Sequence, residues 1–291
     1  MRKVYKYILD KSSKKYICPN CTMKTFVLFI DTESNSYLNE TLGRCDRESK
    51  CGYFKKPFTN TVVIQSKIST SIDVRPSRHK TNLLSKYGNT YHENNFISYL
   101  LRHFVPVDVK QAIKKYFIGT ISPWKGATIF WQVDQFMQVK AGKIMLYNSD
   151  TGKRVKKPYN HIRWMHKVLN VKNFVLQQCL FGLHNLCDYD EQLNSICVVE
   201  SEKTAIIMSI LFPANLWLAT GSKANFKESL LESIKKFKII AYPDKTEFVI
   251  WNEKVNQFKG KGFNIICSNL LENQDLEDGD DLVDFIYKCN K

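Results

Sequence analysis

The sequence predicts an α/β protein in three parts: an N-terminal ribbon framed by paired cysteines, a mixed α+β basic subdomain, and a C-terminal parallel sheet flanked by helices. Three observations predict it. From Ile196 onward, apolar runs of strand length alternate strictly with helical patterns, which argues for βαβ units with right-handed crossovers. Two of those runs end abruptly in an acid, Ile196-Cys197-Val198-Val199 at Glu200 and Lys238-Ile239-Ile240-Ala241-Tyr242-Pro243 at Asp244. Both carboxylates would then sit at the carboxyl ends of neighbouring parallel strands, where α/β folds hold their chemistry. Ahead of all this stand two cysteine pairs at ligand-like spacing.

Cys18-Pro19-Asn20-Cys21 is a C-x-x-C knuckle, and Cys45 and Cys51, followed by Gly52, supply a second pair with five intervening residues. Phe26–Ile30 and Tyr37–Leu42 read as hairpin strands that bring the pairs together. The pattern predicts a zinc ribbon, with structural Zn²⁺ held by Cys18, Cys21, Cys45 and Cys51. Four thiolates leave the site with a net negative charge, which Lys24, Arg44, Arg47 and Lys50 would offset. Cys179, Cys187, Cys197, Cys267 and Cys289 have no ligand spacing, and Cys197 and Cys267 read as buried strand residues.

The expected organisation is a ribbon over 1–58, a Ser/Thr-rich linker over 59–88, the basic subdomain over 89–190 and the parallel-sheet domain over 191–291. In the subdomain, Asn95–Arg102 and Val107–Ile113 are helical patterns separated at Pro106, and Ala127–Val133 and Lys143–Tyr147 are strands. The turn Thr151-Gly152-Lys153-Arg154-Val155-Lys156-Lys157 follows, with His161, Arg163 and Trp164 close behind. Cations interleaved with aromatics hold phosphates and stack on bases, although a solvated surface loop has the same composition.

The last part carries a helix from Thr204 to Phe212, a strand Leu216–Thr220 closed by Gly221, and a helix from Phe226 to Phe237 with Asn225 and Glu228 as a capping box. A helix through Trp251 to Phe258, the strand Phe263–Cys267 and a short helix opened by Asp280-Asp281 complete it. Glu200, Asp244 and one acid of the 278–284 group would suit Mg²⁺, which takes oxygen ligands and keeps waters for phosphates to replace. The plainer reading is a strand end and a helix start, where acids are favoured by the helix dipole. The charge balance, 43 Lys+Arg against 28 Asp+Glu for a net +15, fits a protein that attracts a polyanion and works on it inside an acidic pocket. No apolar run reaches membrane-spanning length and Met-Arg-Lys-Val-Tyr-Lys lacks the apolar core of a signal peptide, so the expected location is cytoplasmic.

The order of these parts resembles bacterial replicative primases. Cys18-Pro19-Asn20-Cys21-Thr22-Met23-Lys24-Thr25-Phe26 is similar to the start of their zinc-binding domain, and Tyr99 to Gly119 to the paired helices that open their polymerase domain. Gln178-Cys179-Leu180-Phe181-Gly182-Leu183 is similar to the segment before their toprim fold. Val198-Val199-Glu200, Tyr242-Pro243-Asp244 and Asp281-Leu282-Val283-Asp284-Phe285 fall where toprim domains carry their glutamate and aspartates. Val199-Glu200-Ser201-Glu202-Lys203-Thr204-Ala205, Ala219-Thr220-Gly221 and the run from Gly142 to Asn148 further resemble a family of toprim-containing, primase-like proteins of bacterial genomes and mobile elements. The resemblance implies a toprim-like parallel sheet and Mg²⁺- or Mn²⁺-dependent nucleotidyl transfer that makes primers on single-stranded DNA from nucleotides. A replicative helicase is an implied partner, although the chain ends soon after the toprim-like unit, where a helicase-binding region would follow. Catalytic roles fall to Glu200, Asp244, Glu247, Asp281 and Asp284, with Glu200, Asp244 and Asp281 as the magnesium ligands. Lys143, Lys153, Arg154 and Lys203 would bind nucleotide or template phosphates. Two departures stand out: Cys21 occupies a position usually held by His, and Thr246 stands where toprim enzymes have a second Asp, leaving Glu247 to replace it from one helical turn away. A toprim nuclease and a non-catalytic zinc-containing DNA-binding protein use the same features.

Overall fold

The computed structural model describes residues 5–12, 14–47, 50–57, 75–189 and 195–289, and the chain divides into two compact units, Met1–Asp73 and Val74–Lys291. The first is a five-stranded antiparallel sheet of β1 (Tyr7–Leu9), β2 (Tyr16–Ile17), β3 (Lys24–Asp31), β4 (Gly43–Cys45) and β5 (Phe54–Lys55), in the order β1-β3-β4-β5 with β2 also on β3. Phe26 to Phe29 are buried and make β3 the centre of the unit. The strand expected over Tyr37–Leu42 is replaced by a single bridge from Tyr37 to Ile30, and the true partner strand starts at Gly43. The cause is local. Asn39 Oδ1 accepts the Thr41 N–H at 2.8 Å, a side-chain turn that competes with an extended run. Gly43 then passes so close to β3 that a Cβ there would meet Val27 O at 2.1 Å.

The second unit opens within the expected linker. Residues 58–74 lie outside the described residues, but Asn82–Tyr87 forms a helix, α1. Asn94 caps α2 (Asn95–His103), its Oδ1 accepting from the N–H groups of Phe96 and Ile97 while its amide donates to Gly119 O. Pro106 occupies the first turn of α3 (Pro106–Lys115), where a missing N–H costs nothing. β6 (Gly119–Ile121), β7 (Ala127–Val133), β8 (Val139–Met145) and β9 (Ile162–Trp164) form an antiparallel sheet in chain order, followed by the short α4 (Met165–Val168).

After residues 190–194, which are outside the described residues, β10 (Ile196–Val199), α5 (Glu202–Leu211), β11 (Leu216–Ala219), α6 (Glu228–Leu231), β12 (Ile239–Ala241), α7 (Phe248–Lys259), β13 (Ile265–Cys267) and α8 (Leu282–Cys289) follow. All four strands pair in parallel in the order β11-β10-β12-β13. The expected helix from Phe226 to Phe237 breaks into α6 and a 3-10 turn over Glu232–Ile234, and the Asn225/Glu228 box does not form. Asn225 instead donates its amide to Gln178 Oε1 and Thr220 O, fastening the loop after β11.

Strand alternation divides the unit into three cores. Cys197 and Val199 of β10 pack with Phe130, Phe181, Trp217 and the helices α2, α3, α5 and α8 between the two sheets. Ile196 and Val198 face the opposite way, toward α6 and α7, where Phe226 and Trp251 stack at 3.9 Å. Ile129, Trp131 and Ile144 form a third cluster on the outer face of the antiparallel sheet.

Candidate functional site

In the ribbon unit the turn after β2 folds back on itself, with Thr22 N donating to Cys18 O, and a second turn brings Cys51 N to Arg47 O at 2.7 Å. The four sulfurs of Cys18, Cys21, Cys45 and Cys51 all lie within 4.8 Å of one another, with Cys18–Cys51 at 3.7 Å and Cys21–Cys45 at 3.9 Å. Tetrahedral zinc with bonds of about 2.3 Å places sulfurs about 3.8 Å apart, so the donor set fits Zn²⁺. Two polar neighbours orient the thiols. Asn20 Nδ2 donates to Cys51 Sγ at 3.4 Å, and the Thr25 hydroxyl lies 3.3 Å from Cys45 Sγ. Burial pushes the Cys18 thiol up to about 11, whereas the Asn20 amide draws Cys51 down to about 6.

In the larger unit the acids gather at the carboxyl edge of the parallel sheet. Glu200 follows β10 and Asp244 follows β12, and β10 and β12 are hydrogen-bonded neighbours. Burial pushes the Asp244 carboxyl up to about 9, and the negative charges of Glu200, Asp281, Glu247 and Asp284 push in the same direction. All five expected acids therefore share one electrostatic field. Burial also raises Glu200, offset by the Lys223 N–H and by the charges of Arg154 and Lys223. Asp284 is raised by burial and by Asp281, with Lys203 pulling the other way.

The acids differ in what else holds them. Asp281 caps α8: its Oδ1 accepts from Val283 N at 2.8 Å and Asp284 N at 3.2 Å, and its Oδ2 accepts from the Thr204 hydroxyl. Asp284 reaches back to Asp281 N at 3.0 Å, completing a capping box. Glu247 stands at the start of α7, where its Oε1 pairs with Lys223 at 2.8 Å. Among the described residues only the four cysteines bring three or more ligand atoms within 4.8 Å, so the carboxylates do not converge on one point as the thiols do. Mg²⁺ is commonly bound by one or two carboxylates plus water and phosphate, and Asp244 with Glu200 or Asp284 leaves that arrangement open.

Of the four expected phosphate-binding cations, Arg154 lies in the field of Glu200 and Lys203 in that of Asp284. The loop carrying Arg154 is laid on α2, where a Cβ at Gly152 would meet the Tyr99 ring at 2.5 Å, and Arg102 pairs with Asp150. Lys153 is exposed on the same loop. Lys143 is the exception. It is 6% exposed, and its ammonium lies 3.0 and 3.1 Å from the two carboxylate oxygens of Glu202 and 2.6 Å from Gly221 O. Rather than facing phosphate, it braces the antiparallel sheet against the first residue of α5 and the loop after β11.

Sequence reading missed three residues that shape this edge. Lys223 ties the Glu200 loop to Glu247, and Glu202 anchors Lys143. Glu272 grips the turn after Asp244, its Oε1 accepting from Thr246 N at 2.7 Å, while Lys245 donates to the carbonyls of Glu272 and Gln274. Thr246 is held at φ 74°, in the left-handed region. Lys223 was discoverable as the cation two residues beyond Gly221, in a loop at the same sheet edge; Glu272 left no local signal.

A sequence profile for zinc beta-ribbon fingers matches residues 5–64, and one described as a domain of unknown function (DUF6371) matches residues 94–245. No curated protein matches the chain. Among solved structures, it is similar to the RNA polymerase domain of Mycobacterium tuberculosis primase, at 11% identity and TM-score 0.48, over 72% of this chain and 77% of that one. It is also similar to the zinc-binding and RNA polymerase domains of Aquifex aeolicus primase, at 13% identity and TM-score 0.45, over 97% and 77%. The primase fragment of the bacteriophage T7 primase-helicase is similar over 97% of each chain, at 15% identity and TM-score 0.41. With more than half of its length matched by one profile, the chain belongs to the family defined by the DUF6371 domain, here preceded by a zinc ribbon.

Proposed function

We propose that the protein is a primase-like DNA-binding protein whose toprim-type acid edge catalyses metal-dependent nucleotidyl transfer, making primers on single-stranded DNA. One observation carries the reading: Asp244 sits among Glu200, Glu247, Asp281 and Asp284 at the carboxyl edge of the parallel sheet, with Arg154 and Lys203 in the same field. A carboxylate pushed up by burial and by four like charges is a site that a divalent cation would restore to the ionised form. Asp244, with Glu200 or Asp284, would hold Mg²⁺ or Mn²⁺, which when bound supplies charge neutralisation at the reacting phosphate. Arg154 and Lys203 would bind the phosphates of the incoming nucleotide. Glu200, at the strand end beside Asp244, would take the proton from the attacking hydroxyl as it bonds to the α-phosphorus and pyrophosphate leaves. Asp281 acts by fixing α8 and Asp284 rather than by direct ligation.

A second reading, DNA binding without catalysis, is favoured by Thr246, which stands where the resemblance expects an acid and whose N–H is held by Glu272 in a left-handed turn. Incubation with single-stranded DNA, labelled NTPs or dNTPs, and Mg²⁺ or Mn²⁺ separates these outcomes. Short labelled products that vanish in Glu200→Gln and Asp244→Asn support primer synthesis. Loss of intact DNA without nucleotides would make the site a nuclease, and binding with neither would leave the non-catalytic reading.

A further inference from the structure

The outer face of the antiparallel sheet, on the side of Ile129 and Trp131, holds features that the acid edge does not use. An open hollow of about 400 Å³ is lined by Tyr87, Ser122, Arg163, Lys167 and Asn170 among others, and no carboxylate lines it. Arg163 and Lys167 are exposed, and among the described residues neither enters an ion pair. Two uncompensated cations beside a hydroxyl and an amide form a donor set suited to phosphate oxygens. The hollow's wall continues through Pro123 into Trp124, whose indole N–H donates to the Tyr159 hydroxyl at 3.3 Å. Tyr159 stacks on His161 with ring centroids 4.5 Å apart, and Trp124 meets His161 edge-on at 5.0 Å. Tyr159 nonetheless stays 56% exposed. An aromatic ring already fixed by a hydrogen bond and a stacking partner loses little rotamer freedom when another ring lies on it. Lys156 and Lys157 extend the positive charge along the same loop.

We propose that this face is a second binding site, for single-stranded nucleic acid, in which Tyr159 stacks on an unpaired base while Arg163 and Lys167 hold adjoining phosphates. Only a strand with unstacked bases offers both a free ring face and a flexible phosphate chain, which excludes intact duplex. The site rests on the nucleic-acid-binding reading above and is independent of catalysis.

The test is fluorescence anisotropy with a labelled oligothymidylate and an abasic strand of equal length, without nucleotides or added divalent cation. Arg163→Gln with Lys167→Gln should weaken both strands about tenfold and make the salt dependence shallower by roughly 1.4 in slope, at about 0.7 per lost contact. Tyr159→Ala should weaken the base-bearing strand about tenfold and leave the abasic strand unchanged, while Tyr159→Phe keeps wild-type affinity. No binding by wild type, wild-type affinity in the double cation variant, or equal weakening of both strands by Tyr159→Ala would each overturn the site. If that happens while primer synthesis persists, this site falls and the proposed function stands; selective loss in a protein that makes no primers leaves this site standing without the catalysis.

Discussion

The two clusters of potential metal ligands in this chain are assembled by opposite means. Four thiols are drawn within 4.8 Å by tight backbone turns close to them in sequence, each turn closed by its own hydrogen bonds. The carboxylates are delivered by separate strand ends and helix starts, and burial, with the like charges of its neighbours added, leaves Asp244 at about 9. A closed set of soft ligands is a structural site in which metal binding and folding are one event. The separated carboxylates are instead held by the scaffold around them, with Lys223 on Glu247, Glu272 on Thr246 N and Lys143 on Glu202, an arrangement that needs no shared ligand to fold.

The largest effect expected from breaking this contrast is on the thiols. Purified protein should carry about one zinc per chain, and Cys45→Ser should abolish protease resistance of the N-terminal unit while leaving the larger unit intact. Metal analysis and limited proteolysis decide it; zinc-free protein with a resistant N-terminal unit contradicts the assignment. Next comes the brace. Lys143→Met leaves Glu202 buried without its partner and should cost about 3–5 kcal/mol in denaturant unfolding. Lys143→Met with Glu202→Met should recover most of that loss, whereas additive losses would show that the pair does not act as a unit.

The acid edge should also respond to pH with a definite sign. Folding raises Asp244 from the ordinary carboxylate range to about 9, so the native state binds the extra proton across that window. The contribution of this group is fully present below the unfolded value and is lost as pH rises toward about 9. In metal-free protein Asp244→Asn should therefore flatten the fall in stability between neutral and alkaline pH by at least about 1 kcal/mol, and Mg²⁺ should do the same for wild type. Identical pH profiles for wild type and variant would place Asp244 in a more solvated setting.

A smaller gain tests the position where the chain departs from its resemblance. The left-handed backbone at Thr246 suits Asp better than a β-branched residue, so Thr246→Asp should fold at least as stably and bind Mn²⁺ several-fold more tightly, read by electron paramagnetic resonance. Unchanged Mn²⁺ affinity would mean that this side chain points away from the edge. The smallest signal is the salt dependence of single-strand binding. About four to six phosphate contacts predict a slope of roughly −3 to −4, with only a modest change from Lys153→Glu; a flat dependence would assign the net charge of +15 to another purpose.

The sequence by itself determined the cysteine ligands, the alternating parallel sheet, and the placing of Glu200 and Asp244 at neighbouring strand ends. Each of these is a local signal: a short spacing, a period, or an abrupt end to an apolar run. Helix limits were less legible. The Asn225/Glu228 pattern names a capping box, but Asn225 spends its amide on Gln178 and Thr220, partners set by the tertiary fold. The tertiary structure alone decided that Lys143 is a buried brace and that Asp281 caps α8. It also decided that Lys223 and Glu272 set the geometry of the acid edge. A lysine reads the same on an exposed or a buried face until its partner, here 59 residues away, is brought beside it by the packing of one sheet on another. Charge and spacing along the chain fix which chemistries are available, and only long-range packing fixes which of those charges remain free to use.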